Sequence, residues 1–136
     1  MLQESKIKGY LFPIPHKFLE RLFSGEKDVF VKVGHYRFLA PDHSVVFYDS
    51  DQHMTVGEAK IVRSSNGSPS AIWKEYNARI FLQEKEFKEY VARSPLGPRK
   101  QKEKIMTALV LGRLHRYSSP RKPQRRVTPA GYYITA

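Results

Sequence analysis

A lysine two residues after a glycine, where a helical pattern gives way to a strand pattern, is the first residue with chemistry in reach. It is Lys27, in the turn Ser24-Gly25-Glu26-Lys27, and a cationic side chain leaving such a turn can overhang a cleft. Glu58 stands mid-strand in VGEAKI, where an acid is uncommon. Phe30, Lys32 and Tyr48 combine aromatic faces with charge. A pocket for a nucleobase needs that combination, because stacking contributes roughly 1–3 kcal/mol per base. Tyr10 and Trp73 are further aromatics; core packing is the ordinary use of such residues, and Trp73 is expected there. The densest cationic group is Arg113, Arg116, Arg121, Lys122, Arg125 and Arg126. Its run SSPRKPQRR is stiffened by proline and suits a row of phosphates, contacts that carry no base specificity. His16, His35, His43, His53 and His115 show no metal-ligand spacing and read as turn or rim residues, so neither a metal nor a cofactor is expected.

The net charge of +11 is unevenly placed. Residues 1–68 hold 9 Lys/Arg against 8 Asp/Glu, whereas residues 69–136 hold 15 against 5. Such asymmetry favours a polyanionic partner, and RNA or a nucleotide is the partner expected. No apolar run reaches the roughly 18 residues of a membrane span, and no cysteine is present for disulfides or thiolate ligands. With no secretory signal in view, a cytoplasmic location is expected.

These residues have to be positioned by a small set of elements. Lys6 to Phe12 alternates as a strand, ended by Pro13 and Pro15. Phe18, Leu19, Leu22 and Phe23 recur at helical spacing, with Pro15 suited to the first turn and Gly25 to the stop. Val29, Val31 and Val33 then alternate with Asp28, Phe30 and Lys32. Ser44–Asp49 and Thr55–Arg63 pattern as an antiparallel hairpin, followed by a turn cluster over Ser64–Ser68. Helices are expected from Pro69, capped by Ser68, and over Gln83–Arg93, with a short strand at Ala78–Leu82 between them. Lys104–His115 is apolar on both faces and should lie centrally in a sheet. Basic loops are expected near residues 94–103 and 118–127, before a closing segment at Val127–Thr135. At this length the expectation is one domain over residues 1–136, an α+β, mainly β barrel of about six strands with about three short helices.

The stretch LFSGEKDVFVK resembles the signature of ASCH domains in the PUA-like superfamily, a helix followed by G-x-K-x-x-E-x-R entering a strand. Gly25 and Lys27 match; Phe30 stands where the family has an acid, and Lys32 where it has an arginine. Through FPIPHKF, GEKDVFVK, VFYDS, VGEAKI and TPAGYYI the chain is also similar to a family of small archaeal PUA-like proteins without assigned activity. The resemblance implies a PUA-like pseudobarrel. It also implies a possible chemistry, since in some ASCH members a lysine, a threonine and a glutamate hydrolyse an amide on a modified nucleoside. Lys27 and Glu58 correspond to the first and third, while Phe30 fills the place of the hydroxyl.

Three functions follow. The first is an RNA-binding module that takes a nucleotide or modified base in a cleft formed by Lys27, Phe30, Lys32, Tyr48 and Glu58. In it Lys27 reaches a base edge and the C-terminal arginines hold the backbone. The second is an amidohydrolase-type enzyme with Lys27 and Glu58 as catalytic residues; an ion pair on the barrel rim, Lys27–Glu58 or Glu58–Lys60, is preferred to it. The third is a protein-interaction module.

Overall fold

The computed structural model describes residues 6–94 and 104–136. The chain runs β1 (Ile7–Ile14), α1 (His16–Phe23), β2 (Val29–Val33), β3 (Ser44–Asp49), β4 (Met54–Gly67), α2 (Pro69–Tyr76), α3 (Glu84–Arg93), β5 (Met106–Arg121) and β6 (Tyr132–Thr135). Helix ends follow local chemistry. The Ser68 side chain accepts from the Ala71 amide, and Pro69 fills the first helical position of α2. Gln83 and Glu86 cap α3 reciprocally. Beyond α1, Gly25 adopts φ +83°, the left-handed conformation that glycine takes without strain. Pro15 stands one residue before α1 and not inside it; its carbonyl accepts the Phe18 and Leu19 amides.

The six strands form one mixed sheet in the order β2-β5-β4-β3-β1-β6. β3 and β4 make the antiparallel hairpin that their alternation predicts, with Gly57, Ala59 and Ile61 on the buried face. A Cβ at Gly57 would lie 2.5 Å from the Phe23 ring and 2.6 Å from the His115 carbonyl oxygen, so the face closes only around glycine. β5 takes the interior place between β2 and β4 that its two apolar faces call for. β1 and β3 pair in parallel, with Ile14 opposite Asp49. Three strands separate β2 from β1 in the sheet, yet the Phe12 and Phe30 rings lie 4.8 Å apart. The sheet therefore curls until β2 and β1 face one another across an open seam. Phe12, Phe30, Phe47 and Phe81 fill the interior. This is the mainly β pseudobarrel with three short helices that the sequence pattern predicts.

Several boundaries differ from the expected ones, each for a tertiary reason. β1 continues through Pro13 to Ile14, because Pro13 lies on the seam edge where no N–H is required. β4 runs on through the expected turn at Ser64–Ser68 to Gly67, since β5 offers it partners as far as Met106. β5 itself extends to Arg121, so the first residues of the expected basic loop at 118–127 are strand. The expected strand at Ala78–Leu82 is a 3-10 turn over Asn77–Arg79 and a single bridge from Ile80 to Val29. The basic loop expected near residues 94–103 lies outside the described residues, apart from Ser94. Trp73 is only half-buried, packed against Phe87 at the edge of the core. Among the described residues no helix is long and apolar enough to cross a membrane.

Candidate functional site

The seam between β1 and β2 is a cleft of about 240 Å³. Its walls are Pro13, Ile14, Phe18, Phe30, Val31, Phe81, Leu82 and Tyr90, with Lys17, Glu86, Glu89 and Arg93 at the rim and Lys32 reaching in. The hydrogen-bond parity of β2 explains why it is open. The Asp28 carbonyl bonds to β5 and the Gly34 amide to Ile105 just before it, so Phe30 and Lys32 face β5 as well, and Val29, Val31 and Val33 turn their main-chain groups toward the seam. The Val29 carbonyl accepts the Phe81 amide, and the Val33 amide donates to the Tyr90 hydroxyl at 2.7 Å. Among the described residues nothing bonds the N–H and C=O of Val31. On the other edge the Ile14 carbonyl is taken by the Ser50 amide from the β3 side, which leaves Pro13 facing the seam with a carbonyl and no donor.

Two side chains give this slot its polar chemistry. Burial alone pushes the Lys32 ammonium below its ordinary value of 10.5, and no carboxylate among the described residues offsets that burial. Glu86 is engaged elsewhere, by Arg21 at 2.5 and 3.0 Å. Burial raises the Tyr90 phenol to about 12, so it stays neutral; having accepted the Val33 amide, it keeps its own proton to donate. An unpaired cation, a phenol donor and one free main-chain donor–acceptor pair thus stand between aromatic and aliphatic walls.

The remaining residues expected in this cleft lie elsewhere. Phe30 is a wall residue but only 2 % exposed, so it serves the core as much as the cleft. Lys27 donates to the Ala78 carbonyl at 2.7 Å and opens onto a neighbouring depression that shares Phe81 and Leu82 with the seam. Tyr48 is buried, its hydroxyl 3.3 Å from His53 Nδ1. Glu58 accepts from the Tyr117 hydroxyl at 2.8 Å, while Lys60 donates to Ser44. Neither expected ion pair of Glu58 is present, and the cavity that Lys27 lines does not include Glu58. The reason is topological: Lys27 leaves the α1–β2 turn beside the α2–α3 connection, and Glu58 faces β5 opposite His115.

The expected backbone-binding cations divide among four places. Arg121, Lys122 and Arg125 line a groove of about 350 Å³ with Tyr117, Tyr132 and Thr55. The Arg121 guanidinium lies 3.9 Å from the Tyr117 ring centre and that of Arg125 lies 4.0 Å from the Tyr132 ring centre, so each is positioned by an aromatic face. Arg116 is bonded to Glu20 over the Phe23 ring. Arg113 sits at a left-handed bulge, φ +50°, beside Lys60 and Asp42. Arg126 is exposed beyond the groove.

One cluster has no counterpart in the sequence reading. His16 Nδ1 lies 2.7 Å from Asp49, a carboxylate only 1 % exposed, which also accepts the amides of Asp51 and Gln52. His16 Nε2 faces Glu20 at 3.5 Å. The hydrogen bond that its Nδ1–H donates to Asp49 raises the His16 imidazole above 6.5. Burial pushes the Asp49 carboxyl up, but the bonds from His16 and the two amides together hold it below 3.8. No local signal marks the pair; the β1–β3 register, Ile14 opposite Asp49, brings His16 onto it.

The sign of the linkage is definite. The His16 contribution is complete below its unfolded value of 6.5 and fades as pH rises through the elevated folded value. The Asp49 contribution is complete above 3.8 and fades as pH falls through the depressed folded value. Urea midpoints of the wild type and His16→Asn should therefore differ most between those two unfolded values and converge on either side. An equal difference at pH 5.5 and pH 9 would show that the pair does not act by charge.

Residues 7–136 match the family model described as a domain of unknown function, DUF365. An uncharacterized protein of Methanocaldococcus jannaschii is 31% identical over 94 residues, 66% of this chain and 87% of that relative. Among solved structures, the ASCH protein from Zymomonas mobilis is similar with a TM-score of 0.74 at 15% identity, covering 93% of this chain and 87% of that one. A serine-to-alanine variant of the same protein gives 0.75 at 17% identity, covering 95% and 89%. The likeness extends over nearly the whole pseudobarrel and shows that its fold is ASCH-like.

Proposed function

The chain belongs to the DUF365 family, and from that starting point we propose that it is an RNA-binding module in which the seam cleft receives an unstacked base. The observation that carries this reading is the pairing of aromatic walls with Lys32, an ammonium that no carboxylate among the described residues neutralises. A base fits such a slot by stacking or edge contact with the half-buried Phe18 ring. A ring carbonyl or nitrogen accepts from Lys32, and the Val31 main chain supplies a donor and an acceptor for the rest of the base edge. Lys32 thus takes the base-reading role first expected of Lys27. The Arg121–Arg125 groove supplies phosphate contacts, in keeping with the basic C-terminal half. A hydrolase reading has less support: the cavity that Lys27 lines does not include Glu58, whose carboxylate is bonded to Tyr117.

Filter binding of short single-stranded RNAs at several salt concentrations tests the proposal. Affinity should fall steeply with salt, as released counterions require. The double variant Arg121→Gln/Arg125→Gln should reduce the slope of log K against log salt by about two units, near one per lost phosphate contact, and weaken all sequences alike. Absent or salt-independent binding would sink the proposal.

A further inference from the structure

We infer that the pocket formed by His16, Glu20, Gln52, Arg116 and Tyr117 is a binding site for a phosphate group, with the Glu20 carboxylate holding the place that a phosphate takes. The pocket measures about 290 Å³ and opens between α1 and β5. Glu20 Oε1 lies 2.8 Å from Arg116 Nη2 and 3.5 Å from His16 Nε2, so one carboxylate oxygen bridges a guanidinium and an imidazole. Both side chains are fixed from behind. Asp49 holds Nδ1 of His16 at 2.7 Å and aims Nε2 into the pocket, while Arg116 lies 4.5 Å over the Phe23 ring. Glu20 has no such anchor. Its side chain is 48% exposed on α1, and among the described residues its bonds are to these two partners. Exposed ion pairs of this kind contribute little, so displacement meets little opposition. A phosphate offers more acceptor oxygens and more charge to the same two donors, and the Arg116 fork can bond two of those oxygens at once.

The groups that face His16 are compatible with an anion. Asp49 reaches it from β3 but is satisfied by the ring and two amides. Asp51, from the β3–β4 turn, spends its carboxylate on the His16 amide at 2.8 Å. Glu20 is on the same helix, and Arg116 comes from β5. The pocket also adjoins the basic groove: Tyr117 lines both, and Arg121 lies on the Tyr117 ring. That continuity makes an RNA phosphate the natural source, and to this extent the inference rests on the proposed RNA-binding function; the site chemistry itself does not.

The test follows the His16 ring by NMR during titration with inorganic phosphate, and separately with 5′-phosphorylated and 5′-hydroxyl oligoribonucleotides. Phosphate should shift the Nε2 resonance of the wild type. Glu20→Gln, an isosteric exchange on the surface, should bind phosphate several-fold more tightly. Arg116→Gln should bind about tenfold more weakly, the usual effect of losing a charge-assisted bond. Binding should weaken as pH rises through the His16 titration. A ring that does not respond to phosphate in either the wild type or Glu20→Gln overturns the inference, as does weaker phosphate binding by Glu20→Gln. If inorganic phosphate moves the ring and neither oligonucleotide does, the site stands as one for free phosphate and the RNA-binding reading is what fails.

Discussion

Phe30→Ala is expected to lower the free energy of unfolding by about 3–5 kcal/mol. Phe30 is 2 % exposed and touches aromatic rings on three sides: Phe12 at 4.8 Å, Phe81 stacked at 5.3 Å and Phe47 at 6.4 Å. Phe12 belongs to β1 and Phe47 to β3, so the side chain links the β2 edge to the far part of the sheet. No ladder hydrogen bond crosses the seam between β1 and β2, and ring packing is the main attraction holding the two edges together there. Truncation removes transfer free energy and leaves a void beside a cleft, which cannot collapse without moving an edge strand. Phe30→Leu, which keeps much of the volume, should lose roughly half as much. Urea titrations of the three proteins measure this directly. A loss below about 1 kcal/mol for Phe30→Ala would mean that the seam is not held by its aromatic contacts.

Lys32→Met should weaken binding of single-stranded RNA about 10–100-fold, the worth of one charge-assisted hydrogen bond in a desolvated slot. The same substitution should leave stability unchanged or raise it by up to about 1 kcal/mol, because an apolar chain of similar length replaces an ammonium that pays for its own burial. The pH arm has a fixed sign. With the folded value of Lys32 below 10.5, the unfolded chain binds more protons between the two values, and stability gains with pH across that interval. Lys32→Met should lack this gain, so the stability difference between the two proteins narrows toward high pH. RNA binding unchanged in Lys32→Met would remove Lys32 from the site. A clear loss of stability would show that the lysine is paired, and not stranded, in the cleft.

The basic character of the C-terminal half is legible in the sequence because charge is additive and needs no partner to be counted. Any fold of a chain with 15 basic and 5 acidic residues in its second half presents a positive surface, and SSPRKPQRR concentrates it. The hairpin of β3 and β4, the Ser68 cap and the Gly25 stop are legible for a related reason. Each depends on residues within a few positions of one another, where alternation, capping and glycine conformations act.

The cleft and the His16 pocket were out of reach of such reading. Alternation along Asp28–Val33 says which residues share a face, but not that β2 would lie at an open seam with Val29, Phe30 and Val31 all buried. Lys32 acquires its character from that placement: a lysine on a solvated edge keeps its ordinary titration, and this one is desolvated in a cleft that α1 and the distant α3 help to close. Lys27 and Glu58, which local pattern favoured, are separated because β4 crosses to β5 while the Lys27 turn docks on the α2–α3 connection. His16 and Asp49 are 33 positions apart and meet only through the parallel register of β1 and β3. Composition and short-range pattern determined the class of fold, its hairpin and its charge. Which side chains lose water and which charges find partners depended on strand order, since desolvation and pairing are properties of what packs opposite a residue and not of its neighbours in the chain.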